Sequence, residues 1–106
     1  METNQGWVDV AAVDGFPEGA MQALIVDGKE VVVFRVDGNF HALQDYCTHD
    51  GGDLSSGTFA AGEITCAWHG ARFDVRTGRA LSPPAYEDAT VVEARCCDDR
   101  VQVRLR

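Results

Sequence analysis

The stretch AMQALIVDGKEVVVFRVDGNFHALQ, residues 20–44, alternates valine-rich runs with two identical punctuation marks. The runs are Ala20–Val26, Glu30–Val36 and Phe40–Gln44, and the marks between them are Asp27-Gly28 and Asp37-Gly38. A two-residue hairpin turn needs positive φ at both central positions, which Asp and Gly tolerate, so Asp-Gly between β-forming runs predicts a hairpin. The stretch therefore predicts three consecutive antiparallel strands. On its amino-terminal side Trp7–Val13 reads as a further strand, followed by the turn-like Asp14-Gly15-Phe16-Pro17-Glu18-Gly19. Near the carboxyl terminus, Val92, Ala94 and Cys96 alternate with Glu93 and Arg95. Val101, Val103 and Leu105 likewise alternate with Arg100, Gln102 and Arg104, which predicts two strands turning at Asp98-Asp99. Thirteen valines against five leucines, and no window with helical periodicity, complete an all-β reading. The expected architecture is one domain, residues 1–106, built as a small antiparallel β-sandwich or barrel. Its base comes from residues 1–44 and 86–106, with a loop-rich insertion over about 45–85.

The chain's 106 residues suffice for one core and not two. With 45% hydrophobic and 25% charged residues, the composition is that of a folded globular chain. Its net charge of −8 argues against nucleic acid and anionic membranes as partners. The same charge suits a partner with a basic docking face, or serves solubility alone. The amino terminus carries neither a basic nor an apolar targeting segment, and no apolar run approaches the ~20 residues needed to span a bilayer. The expectation is a soluble, cytoplasmic monomer, in which the four cysteines are ligands or free thiols rather than disulfides.

Two of those cysteines sit with two of the three histidines in short clusters, Cys47-Thr48-His49 and Cys66-Ala67-Trp68-His69. Two loops that each offer one thiolate and one imidazole can converge four ligands on one point. Coincidence, with buried cysteines and surface histidines, is disfavoured by the repeated order. A structural Cys2His2 zinc site usually groups its cysteines together and its histidines together. The mixed order favours a binuclear centre, with both thiolates on one iron and both imidazoles on the other. His41, in the strand-like Phe40-His41-Ala42-Leu43, reads as an ordinary strand side chain.

The segment CTH…CAWHGARFDVRTG, within residues 47–79, resembles the cluster-binding signature of the Rieske family, Cys-x-His followed by Cys-x-x-His-Gly. The resemblance implies a Rieske-like β base carrying a cluster-binding subdomain and one [2Fe–2S] cluster. Cys47 and Cys66 would ligate the buried iron, and His49 and His69 the outer one. Leu81-Ser82-Pro83-Pro84-Ala85 falls where the family has a proline-rich loop over the cluster. Gly51, Gly52, Gly57 and Gly70 suit loops whose amides approach the sulfurs. Respiratory members of the family carry extra loop cysteines that form a disulfide; here Asp50-Gly51-Gly52 and Trp68 stand in those places. Their hydroxyl donors after the second His-Gly are replaced by Ala71 and Phe73, so the expected potential is near the low end of the Rieske range, about −150 mV.

After the cluster ligands only His41 remains, too little for a mononuclear oxygenase iron, and the length leaves no flavin or nicotinamide domain. The resemblance therefore implies an electron carrier rather than an enzyme. It is similar to the ferredoxins that pass electrons from a flavin-containing reductase to a terminal oxygenase in aromatic-ring dioxygenase systems. A small Rieske subunit held in a nitrite reductase or another enzyme, and a zinc-stabilised binding module, are the alternatives. Trp68 and Asp50, beside the outer ligands, are candidates for a docking rim. Cys96 and Cys97, adjacent on a strand, are expected to point to opposite faces, one buried and one exposed.

Overall fold

A computed structural model describes residues 6–47, 52–67, 70–82 and 87–105. The described strands are β1 (Trp7–Ala12), β2 (Met21–Val26), β3 (Lys29–Val36), β4 (Asn39–Gln44), β5 (Thr58–Ala60), β6 (Glu63–Thr65), β7 (Arg72–Asp74), β8 (Val91–Cys97) and β9 (Arg100–Arg104). The only helical element among the described residues is a 3-10 turn, Leu54–Ser56, and none is long and apolar enough to cross a membrane.

The hairpins arise as the Asp-Gly pairs require. Asp27 and Gly28 have φ of 50° and 79°, and Asp37 and Gly38 have 52° and 80°. Positive φ at both central residues is the type I′ turn, whose twist matches that of the flanking strands. Asp98 and Asp99, at 53° and 63°, close β8 onto β9 in the same way without a glycine. Ala61-Gly62, at 55° and 78°, does so for β5 and β6, where the residue types announce no hairpin.

Six strands form one antiparallel sheet in the order β1-β9-β8-β4-β3-β2, and β5-β6-β7 form a second, smaller one. The large sheet curls until its end strands line one interior. Val8 and Val10 from β1 and Leu24 from β2 pack on the core of Val31, Val33, Phe40, Val101 and Val103. The fold is thus the expected all-β, barrel-like base.

Strand β3 is covered on both faces. Val31 and Val33 belong to the barrel interior, whereas Val32, Phe34 and Val36 face a second core under the small sheet. This double burial explains the uninterrupted apolar run Val31–Phe34, where a half-exposed strand would alternate. The two units meet at Phe34 and Phe59, whose rings lie 4.8 Å apart, and at the Arg76–Asp37 ion pair of 3.3 Å.

Two features depart from the sequence reading. The stretch expected as loop-rich contains the β5-β6-β7 sheet, where the sequence predicts only one short strand, Glu63–Cys66, observed as Glu63–Thr65. β5 and β7 are three residues each, too short for period-2 alternation to register. The cysteine pair on β8 also differs: Cys96 is exposed and Cys97 half-buried, so neither thiol is in the core. Both sit at the hairpin tip, where Cys97 pairs with Arg100.

Candidate metal centre

Cys47 follows β4 and Cys66 follows β6; both thiols are buried and neither is in a disulfide. They join the same core cluster as Leu43, Leu54, Ile64 and Phe73, beneath the small sheet. Each begins a loop pinched shut by the same contact. The Cys47 amide donates to the Gly52 carbonyl at 2.7 Å, and the Cys66 amide to the Ala71 carbonyl at 2.8 Å. Gly70, at φ 73°, turns the second loop and donates to the Cys66 carbonyl at 3.1 Å. His49, Asp50, Gly51, Trp68, His69 and Pro83-Pro84-Ala85 lie outside the described residues.

Gly57 and Gly70 both sit in tight loops, as their positions in the sequence suggest. Their amides donate to the Leu54 and Cys66 carbonyls, which tightens the loops. Gly57 has ordinary extended dihedrals, φ −89° and ψ −163°; it is needed because a Cβ there would overlap the Thr65 carbonyl oxygen. No local signal marks such a position, since the crowding comes from a strand six residues further on.

A second residue escaped the sequence reading. Asp45, on the segment leading into the first loop, is buried, and its carboxylate accepts bonds from the Ser55 amide at 2.8 Å and the Ser55 hydroxyl at 2.7 Å. The Asp45 amide in turn donates to the Glu30 carbonyl at 3.0 Å. Asp45 therefore ties the approach to Cys47 both to β3 and to the 3-10 turn. A hydrogen bond to a charged group contributes ~1.5–3 kcal/mol. Asp45→Ala is expected to lower stability by about 3 kcal/mol, read as a fall in the urea midpoint at unchanged slope. Ser55→Ala, which keeps the amide donor, should cost less than half as much.

The sequence reading of His41 holds in part: it is a strand residue, opposite Phe34 and on the face of the sheet under β5-β7. Burial lowers its pKa from 6.5, the Arg76 guanidinium lowers it further, and Asp74 opposes both. The folded protein therefore binds a proton at His41 less readily than the unfolded chain. The stability this contributes is complete above pH 6.5 and is lost as pH falls through the folded-state value. His41→Gln should lose less stability than the wild type between pH 7 and pH 5. Identical losses in parallel urea titrations would remove His41 from the acid response.

The two thiols suit an iron–sulfur group. Two buried, unbridged thiols share one apolar core at the mouths of two matched loops, where thiolates would be shielded from water and oxidant. An all-β base with two such loops defines a Rieske-type domain. The chain belongs to the Rieske family: the Rieske [2Fe–2S] domain model matches residues 6–98. The ferredoxin component of the naphthalene 1,2-dioxygenase/salicylate 5-hydroxylase systems of Ralstonia sp is 36% identical, over 95% of this chain and 97% of its own length. The ferredoxin of carbazole 1,9a-dioxygenase from Nocardioides aromaticivorans IC177 superposes with a TM-score of 0.89 at 32% identity, covering 94% of this chain and 98% of that one. The same score, at 33% identity over 95% and 94% of the two chains, is reached in a complex of reduced oxygenase and oxidized ferredoxin in carbazole 1,9a-dioxygenase. The chain's cofactor is a Rieske [2Fe–2S] cluster, and its role is that of a ferredoxin, carrying electrons rather than catalysing a reaction.

Proposed function

We propose that Cys47 and Cys66 hold the inner iron and His49 and His69 the outer one. In this reading the cytoplasmic, monomeric chain carries single electrons from a flavin-containing reductase to the terminal oxygenase of an aromatic-ring dioxygenase system. The observation that carries the ligand set is the pair of buried thiols, in no disulfide, in one core, each opening a pinched loop with a histidine two or three positions on. The partners are supported by the relatives, which are ferredoxin components of dioxygenase systems, and by the ferredoxin–oxygenase complex among the similar structures. Residues 45–85 form the cluster-binding unit and residues 1–44 and 86–106 the base.

When bound, the cluster supplies a reversible one-electron couple, and replacing two thiolates by neutral imidazoles raises its potential. The chain's own part is to bury the thiolates in apolar packing and to keep both loops closed, so that little moves between oxidation states. The test is direct. The purified protein should contain two irons and two labile sulfides per chain, be red-brown, and give a low-temperature paramagnetic resonance signal after dithionite. A colourless protein with one stoichiometric zinc would overturn the reading.

Ala71 and Phe73 are both fully buried in the core that holds the two thiols. Phe73→Tyr and Ala71→Ser should each raise the potential by tens of millivolts, because a hydroxyl donated to a sulfur favours the reduced state. Stability separates this from mere tolerance. A buried hydroxyl without a partner costs about 1–3 kcal/mol, so the variant should keep its urea midpoint only if the hydroxyl finds an acceptor. An unchanged potential with a lowered midpoint would refute the tuning.

A further inference from the structure

The two ligand loops are closed in different ways. The second is flanked by paired strands: Thr65, immediately before Cys66, pairs with Arg72, immediately after Ala71. A backbone ladder therefore holds the two ends of the loop that the Cys66 amide and Ala71 carbonyl pinch shut. Among the described residues the first loop has no such ladder. Strand β4 ends at Gln44, and beyond the Cys47–Gly52 pinch the returning chain forms the 3-10 turn Leu54–Ser56. The ends are joined instead by one side chain, Asp45. Its two carboxylate oxygens each accept a bond from Ser55, one from the amide at 2.8 Å and one from the hydroxyl at 2.7 Å.

Asp45 is the one charged side chain buried among the described residues, at 7% exposure. Residues 44–47 alternate outward and inward, so Asp45 and Cys47 are both buried while Gln44 and Tyr46 stay exposed. Two residues of chain span at most about 7 Å, which keeps Asp45 next to the first thiol. Among the described residues no arginine or lysine pairs with it: Arg72, Arg76, Arg100 and Arg104 pair with Glu63, Asp37, Asp9 and Glu93. The Glu30 and Asp53 carboxylates lie within 4.8 Å of it and are exposed, where water screens them. Burying a carboxylate without a cation costs free energy, and a neutral amide could close the loop as well. The charge itself calls for a role.

We infer that Asp45 is a positioning residue for electron transfer, which closes the first ligand loop from outside and whose buried negative charge holds the reduction potential of the metal centre down. The inference rests on the reading of Cys47 as an iron ligand. An electron added to the centre is repelled by a fixed carboxylate, so the oxidised state is favoured. At an effective dielectric constant of about 20, a unit charge acting over about 10 Å shifts an equilibrium about tenfold. Ser55 works against this field, because its amide and hydroxyl turn their positive ends to the carboxylate and offset part of its charge. The pair sets the potential by charge, independently of any hydroxyl donated to sulfur at positions 71 and 73.

The experiment uses cluster-loaded protein and reads the midpoint potential by redox titration, beside iron content and the urea midpoint. Asp45→Asn keeps an oxygen for the Ser55 amide and removes the charge. Its equilibrium should move about tenfold toward the reduced state, which is about 59 mV upward for one electron. Ser55→Ala keeps the charge and removes one bond that offsets it, so its equilibrium should move about threefold the other way. Both variants weaken the same closure and should lower the urea midpoint. A purely structural role would therefore move both potentials in one direction. The control is Asp53→Asn, which removes an exposed charge that makes no cap hydrogen bond and should shift the equilibrium less than about twofold. A loaded Asp45→Asn protein with the potential of the wild type or of the control would overturn the inference. Should Asp45→Asn lose its iron, a Ser55→Ala potential that rises or stays in place would overturn it. Iron absent from the wild type would overturn the ligand reading together with the inference, a result distinct from unshifted potentials in loaded protein.

Discussion

Gly57→Ala should destabilise the protein by roughly 3 kcal/mol or more and make the metal centre labile, although alanine is the smallest change available. The added Cβ would overlap the Thr65 carbonyl oxygen and lie 2.9 Å from its carbon and 3.2 Å from the Leu54 oxygen. All three are backbone atoms, so no side-chain rotation relieves the contact. Thr65 pairs with Thr58 across β5–β6 and immediately precedes Cys66, so any relief shifts the end of β6 and the second ligand loop with it. A typical domain is stable by only ~5–15 kcal/mol, so the loss is a large share of the total. Thr58→Ala, exposed one residue away, should stay within about 0.5 kcal/mol. Urea midpoints and the rate of bleaching of the visible absorbance under air measure both effects. A Gly57→Ala protein with wild-type midpoint and bleaching rate would show that the approach of Gly57 to Thr65 is not tight.

Cys47→Ala and Cys66→Ala should each abolish the cluster, giving colourless protein without labile sulfide or a resonance signal. With Cys47 and Cys66 as ligands the metal centre would crosslink two loops about twenty residues apart in the chain, and binding energy at such a site is folding energy. Both variants should therefore also unfold well below the wild-type urea midpoint. Cys96→Ser and Cys97→Ser should keep full iron and sulfide, because those thiols sit exposed and half-buried at the β8–β9 tip, away from the core that contains the other two. Iron and sulfide content of the four variants sorts the cysteines into ligands and bystanders. Retention of two irons in Cys47→Ala or Cys66→Ala would dismiss that cysteine as a ligand.

Much of this was legible in the chain because it depends on neighbours in sequence. The Asp-Gly turns need only two adjacent residues able to hold positive φ, so β2, β3 and β4 fall within one residue of their expected limits. The Cys-x-His and Cys-x-x-His-Gly spacings are equally local, and they pointed to iron–sulfur chemistry before any fold was known. Alternation in β8 and β9 showed which residues face inward up to Ala94, but not where the inward face runs out, and Cys96 lies past that limit.

What sequence could not supply depends on atoms brought together from distant positions. The double burial of β3 exists only because the small sheet covers the outer face of the barrel, so Val31–Phe34 gave no sign of which residue faces which core. Asp45 looks like any loop carboxylate until Ser55 is folded against it. Gly57 has dihedrals open to any residue, and its requirement comes wholly from the Thr65 carbonyl opposite. Turn conformations and ligand spacings are short-range properties of the backbone, whereas packing, crowding and shared surfaces are pairwise properties of residues the fold makes neighbours.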